Sequence, residues 1–116
     1  MTFALNVAAA ALLSVTSSPA DTVVLFDDLG EHHYEISTTN PLAQQYFDQG
    51  LRLMWGFNHG EAIRAFDQAA KIDPQCAICY WGEAWAWGSY LNAPMSPDEA
   101  PPGRSRGLIW RGLLAG

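Results

Sequence analysis

The feature that most constrains this fold is a helical spacing of apolar residues that recurs after thirty-four positions. Between residues 41 and 57, apolar and small side chains follow at three- and four-residue intervals, which is the spacing of one buried helical stripe. The same kinds of side chain return thirty-four positions later, in the same order: Ala43 and Ala77, Tyr46 and Tyr80, Phe47 and Trp81, Gly50 and Ala84. A period of this length predicts stacked helix-turn-helix units and therefore an all-α fold class.

Local signals place the start of the first helix and the boundary with the second. Asn40 can cap free backbone amides, and Pro41 suits the first helical position, where no amide hydrogen is needed. The first helix should end near Phe57, because Asn58 and Glu61 have the spacing of a capping box that begins a new helix. The connection is short, so the two helices are predicted to be antiparallel neighbours.

The second helix should stop before Pro74, and a third should start at Cys76 or Ala77. The predicted buried side of this third helix consists of Tyr80, Trp81, Ala84, Trp85 and Gly88. Small residues at Gly50 and Ala84 would let the helix backbones approach closely, with Phe66 of the second helix filling the gap between them.

A family resemblance is carried by aromatic, small and proline positions within this pattern: Tyr46, Gly50, Ala62, Phe66, Ala69 and Pro74. Over residues 41–90 the chain resembles the tetratricopeptide repeat family, with one full repeat and the first helix of another. It departs from that family at Gln49, where leucine is usual, and at Leu53, where tyrosine is usual. The stretches "FDQGL", "GFNH" and "NAPM" are similar to exported bacterial members of unassigned function.

The resemblance implies a binding scaffold with a concave groove, and it implies no catalytic residues. The candidate groove residues lie off the predicted buried stripes: Arg52, Trp55, Trp87 and Asn92. In contrast, Trp81 and Trp85 are predicted to form core between helices, since aromatic residues at helical spacing usually pack inside. The expected partner is a protein or peptide segment of unknown identity.

The charge balance and the absence of catalytic motifs narrow the function classes. The 116 residues include twelve Asp and Glu against six Lys and Arg, which gives a net charge of -6. This excludes a nucleic-acid ligand, because neutralising phosphates needs a basic face. The sequence has no Ser-His-Asp arrangement, glycine-rich phosphate loop or metal-hydrolase helix, so it predicts neither an enzyme nor a cofactor.

The N-terminal segment predicts export. Residues 1–20 resemble a secretory signal peptide, because residues 3–15 are almost wholly apolar and residues 18–20 are a small-x-small cleavage pattern. The run is short for a membrane span, so no stable span is expected after cleavage, and the predicted location is the periplasm or the exterior. Residues 21–40 predict either one or two short strands or an extended arm that lies on the helices.

The repeat pattern is lost after residue 92. Pro101 and Pro102 would interrupt the expected fourth helix, and residues 93–116 show no helical stripe with a polar back. This tail is therefore predicted to be irregular. Because about three repeats are needed to bury a continuous core, the hypothesis is a truncated or frame-shifted piece of a longer repeat protein.

Cys76 and Cys79 stand at the predicted start of the third helix. A c-type haem attachment site is excluded, because Tyr80 rather than histidine follows the second cysteine. In an exported protein the pair predicts a local disulfide or two partly buried thiols. The alternative function is a periplasmic metal-binding or thiol-redox protein; its metal site would need further ligands from the three histidines, His32, His33 and His59.

Overall fold

The computed structural model describes residues 23–91 and 93–116, which form four helices: α1 (Pro41–Trp55), α2 (His59–Ile72), α3 (Ala77–Ala86) and α4 (Ala100–Ala115). Across these two ranges the only β pairing is an isolated bridge between Tyr90 and Ala93, so the all-α class is confirmed. Helix α2 packs against α1 and α3, and α4 packs against α3. The predicted signal peptide and the groove candidate Asn92 lie outside the described residues.

Helix α1 begins as predicted and ends in an unusual turn. The Asn40 side chain accepts hydrogen bonds from the amides of the second and third helical residues. At the other end, Phe57 has a φ of 61°, in the left-handed region. Its N–H bonds to the carbonyl of Met54, and the N–H of Asn58 bonds to that of Leu53. These two bonds form a Schellman motif, in which glycine usually occupies the position that Phe57 holds here.

The predicted capping box at the start of α2 is half formed. Asn58 Oδ1 accepts the N–H of Glu61 at 3.3 Å. The Glu61 carboxylate does not return to the Asn58 amide, which already donates to the Leu53 carbonyl, and instead contacts Arg64 at 3.2 Å. The predicted helix start was right, and the predicted reciprocal bond was wrong.

The core forms where α1, α2 and α3 meet around Phe66. This ring is fully buried and packs against Phe47, with 5.5 Å between the ring centroids. Gly50 of α1 and Gly82 of α3 both face it, and a Cβ atom at either position would lie 2.6 Å from a ring carbon. Glycine is needed at both positions because the two backbones come this close to the ring. The prediction that Ala84 makes the close contact in α3 was wrong, since Gly82 does so.

The buried face of α3 also differs from the prediction. Its buried residues are Cys79, Gly82, Glu83 and Ala86. The predicted stripe lies outside this set: Trp81 is half-buried, and Trp85 is 36% exposed. The close approach of α3 to the Phe66 ring leaves no room for a second large ring there, so the tryptophans point away from the core.

The C-terminal segment predicted to be irregular forms a helix, α4. Pro101 and Pro102 lie in its first turn, where amide hydrogens have no partner within the helix. They therefore begin the helix instead of interrupting it. Helix α4 has no fully buried residue. It is anchored by Arg106, whose guanidinium lies 2.8 Å from Glu83 of α3 and 2.9 Å from Asp67 of α2.

Residues 23–40 form an extended arm without strands, which was one of the two predicted alternatives. Side chains of α1 hold its backbone. The buried Gln49 accepts the N–H of Phe26 and donates to the carbonyl of Val24, both at 2.8 Å. Four further side chains of α1 hydrogen-bond to backbone atoms of the arm: Gln44, Tyr46, Asp48 and Arg52. The arm gives a physical reason for Gln49, because leucine could not make these two bonds.

Candidate functional site

A cavity of about 730 Å³ opens between the arm, α1, the start of α3 and the end of α4. Its volume falls within the range of ligand-binding clefts. Helix α1 contributes residues four apart, on one helical face: Phe47, Leu51 and Trp55. Helix α3 contributes Ala77, Ile78 and Trp81, and α4 contributes Trp110 and Leu114. The remaining lining residues come from the arm and the loop before α3: His32, Tyr34, Glu35, Ile36, Ser37 and Gln75.

Tryptophan side chains extend the cavity into an exposed aromatic surface. Trp81 stacks on Trp85, with ring centroids 5.4 Å apart and an interplanar angle of 19°. Trp85 in turn meets Trp55 edge-on at 6.0 Å, and Trp55 is 69% exposed. The prediction that Trp81 and Trp85 are core residues was therefore wrong. They belong to a surface that can contact an apolar or aromatic group of a ligand.

The charge of the lining is one-sided. Within the described part of the chain, Glu35 is the one Asp or Glu that lines the cavity, and no Lys or Arg does. Glu35 is exposed and lies between two aromatic or apolar neighbours of the arm. An anionic ligand would therefore meet no fixed positive partner in this cavity, whereas a cation would meet one carboxylate.

The three predicted groove residues that the structure describes do not line one cavity. Trp55 lines the cavity. Arg52 does not line it, and its Nε–H donates to the carbonyl of His32 in the arm at 2.7 Å. Trp87 is half-buried at the end of α3, where its Cβ lies close to Gly103 of α4. Asn92 lies outside the described residues, and of the other three only Trp55 lines the cavity.

Several cavity residues were missed by the sequence prediction. Trp110 and Leu114 lie four apart, which is a helical spacing, but the Pro101-Pro102 pair led to the interpretation of an irregular tail. No sequence pattern marks Tyr34 and Glu35 as cavity residues, because their place in the lining depends on where the arm lies against α1.

The cysteines and histidines considered as metal ligands make separate contacts. Cys76 and Cys79 form a disulfide at the start of α3, and both are buried. His33 Nδ1 lies 2.7 Å from Asp48 Oδ2, and His59 stacks on Tyr90. His32 lines the cavity. Among residues 23–91 and 93–116, no group of three or more His, Cys, Asp or Glu side chains is placed to hold a metal ion.

The contact between α3 and α4 contains a perturbed carboxyl group. Burial raises the pKa of Glu83 above its ordinary value of 4.5, and the Arg106 guanidinium opposes this shift. Arg106 also contacts Asp67 and lies over the Tyr80 ring at 5.8 Å. This cluster lies outside the cavity lining, and its contacts attach α4 to the rest of the helices.

No match was found in comparisons with protein-family models, with curated proteins and with solved structures. The resemblance to tetratricopeptide repeats therefore stays a prediction. In the part of the chain that the structure describes, no helix has the length and apolar character needed to cross a membrane.

Proposed function

We propose that this protein is an exported helical-repeat scaffold that binds a peptide or a segment of another protein. The observation that carries the proposal is the cavity beside α1, with its exposed tryptophans. Exposed aromatic side chains beside a concavity are typical anchors of protein interfaces, and they are costly to leave in water. The proposal requires no catalytic step and no cofactor.

The way α1 holds the arm supports a peptide as the ligand. Polar side chains of this helix already bind the backbone of an extended segment, through Gln44, Asp48 and Gln49. These contacts involve only the backbone of the extended segment, so they do not restrict which side chains it carries. The arm occupies these polar groups, so a second extended segment that crossed the cavity would bind through its side chains on the aromatic surface.

The disulfide supports the exported location. A bond between Cys76 and Cys79 persists in an oxidising compartment such as the periplasm or the exterior. Both sulfur-bearing residues are buried, which favours a structural role over a thiol-exchange role, because exchange needs an accessible sulfur.

The test is peptide selection followed by a matched pair of variants. A random peptide library displayed on phage is selected against the full chain, and the dissociation constant of the best peptide is measured by calorimetry. Trp55→Ala is expected to weaken binding by about tenfold, the scale of an interface anchor. The control is Phe57→Ala, because Phe57 is 64% exposed at the same helix end but does not line the cavity.

Both variants should keep the stability of the parent protein, since both side chains are mostly exposed. Equal effects of the two substitutions on affinity would contradict the proposed site. Failure of any peptide to be enriched would contradict the proposed function itself.

A further inference from the structure

The chemistry of the cavity lining selects among the side chains that a bound segment could offer. Four aromatic residues of its lining are exposed or half-buried: Tyr34, Trp55, Trp81 and Trp110. Glu35 is the acidic member of the same lining, and within the described chain no Lys or Arg takes part in it. Aromatic faces together with one carboxylate are the composition that binds organic cations, because each ring presents a negative face.

We infer that the cavity binds a basic side chain, Lys or Arg, of the bound segment. This inference rests on the proposed function and names the residue class that the peptide must supply. The charged head would lie against the ring faces and Glu35, while its methylene stem would pack on the apolar wall formed by Leu51, Ile78 and Leu114. A neutral apolar side chain would keep the contact with the apolar wall and lose the contact with the ring faces and Glu35.

The charge of the whole chain favours the same ligand. A net charge of -6 raises the local concentration of a basic segment and speeds its association. Arg52 keeps its positive charge beside the arm, where its Nε–H donates to the His32 carbonyl, but it is outside the lining. Binding should accordingly weaken as the salt concentration rises.

The experiment uses the peptides selected against the full, disulfide-bonded chain. The expected result is a basic residue at one position of the enriched peptides. Replacing that residue by its neutral isostere, norleucine for Lys or citrulline for Arg, should weaken binding by about tenfold. Enriched peptides with an apolar or acidic residue in place of the basic one would overturn this inference and leave the proposed function standing. A selection that enriches no peptide would overturn both.

Variants of the protein show whether the basic residue enters this cavity. Glu35→Gln should weaken binding by about threefold and lower its salt dependence, as expected for one exposed charge. Glu31→Gln is the matched control, because Glu31 is an exposed acid of the same arm that does not line the cavity. Trp110→Leu keeps an apolar side chain and removes the ring face. It should weaken binding of the basic peptide by about fivefold and leave binding of the norleucine or citrulline peptide unchanged. No difference between the two glutamine variants, together with no effect of Trp110→Leu, would place the basic residue elsewhere and overturn the inference.

Discussion

Replacing Gly82 by alanine tests the packing that organises the core. A Cβ atom at this position would lie 2.6 Å from the Cδ1 and Cε1 atoms of Phe66. Ordinary contacts between carbon atoms are about 3.5 to 4.0 Å, so the added methyl overlaps the ring by about 1 Å. The ring is fully buried and packs against Phe47, and Gly50 approaches it equally closely from α1. It therefore cannot move away without disturbing a second contact.

Two opposing terms set the size of the effect. Overpacking a well-filled core costs about 1 to 3 kcal/mol. Alanine gains about 0.8 to 1.0 kcal/mol over glycine in helix propensity. Because the overlap involves two atoms of a ring with no free space, the packing cost should be near the top of its range. Gly82→Ala is thus expected to lower the free energy of unfolding by about 1 to 2 kcal/mol.

The assay is urea unfolding followed by circular dichroism at constant temperature, with Gly60→Ala as the control. Gly60 lies in the first turn of α2, and a Cβ atom there would meet nothing within 4 Å. The control should keep or raise stability, by up to about 1 kcal/mol, because it gains helix propensity without a clash. A double mutant of Gly82→Ala with Phe66→Leu should cost less than the sum of the two single changes, because the smaller side chain makes room for the methyl. If Gly82→Ala were as stable as the control, or the two changes were additive, the close contact would not limit this core.

The remaining predictions concern a pH dependence, a turn and the disulfide. Since burial raises the pKa of Glu83, the folded chain binds this proton more tightly than the unfolded chain does. The stability of the parent protein relative to Glu83→Gln should therefore fall as pH rises from about 4.5 through the raised pKa. Urea titrations of both proteins at each pH measure this difference, and a rise across that window would contradict the burial argument. Phe57→Gly should raise the free energy of unfolding by roughly 1 kcal/mol, because glycine adopts the left-handed conformation at no steric cost and little buried surface is lost; a thermal melt with a lower midpoint would refute this. Replacing Cys76 and Cys79 together by alanine should cost roughly 2 kcal/mol of stability in urea, the value for so short a loop, while peptide affinity stays unchanged; a loss of affinity without a loss of stability would point to a direct role in binding.

Local signals along the chain determined where three of the helices begin and about where the first two end. The Asn40 cap, the proline after it and the Asn58 cap are each satisfied within a few residues, so their outcome does not depend on distant parts of the chain. The cysteine pair is likewise local, because three positions separate its members at a helix start. The all-α class followed from the periodic spacing alone.

The irregular tail was a wrong prediction for a physical reason that can be stated. Pro101 and Pro102 break a helix in its interior but are compatible with its first turn. The sequence alone is compatible with either placement of the two prolines, and they fall in the first turn because the helix starts at residue 100. Arg106 then anchors the helix through partners on α2 and α3 that are far away in the sequence.

The cavity depended on contacts between segments that are distant in the sequence. Either side of α3 could serve as its buried face by spacing alone, since small residues and large rings each recur at helical spacing along it. Because the Phe66 ring packs directly on Gly82, the Gly82 side of α3 is buried, and Trp81 and Trp85 face the surface. The amino-acid sequence by itself thus determined the first three helices, whose capping bonds are local. The aromatic cavity was decided only by the tertiary structure, because a fully buried ring leaves room for a glycine and for no larger side chain.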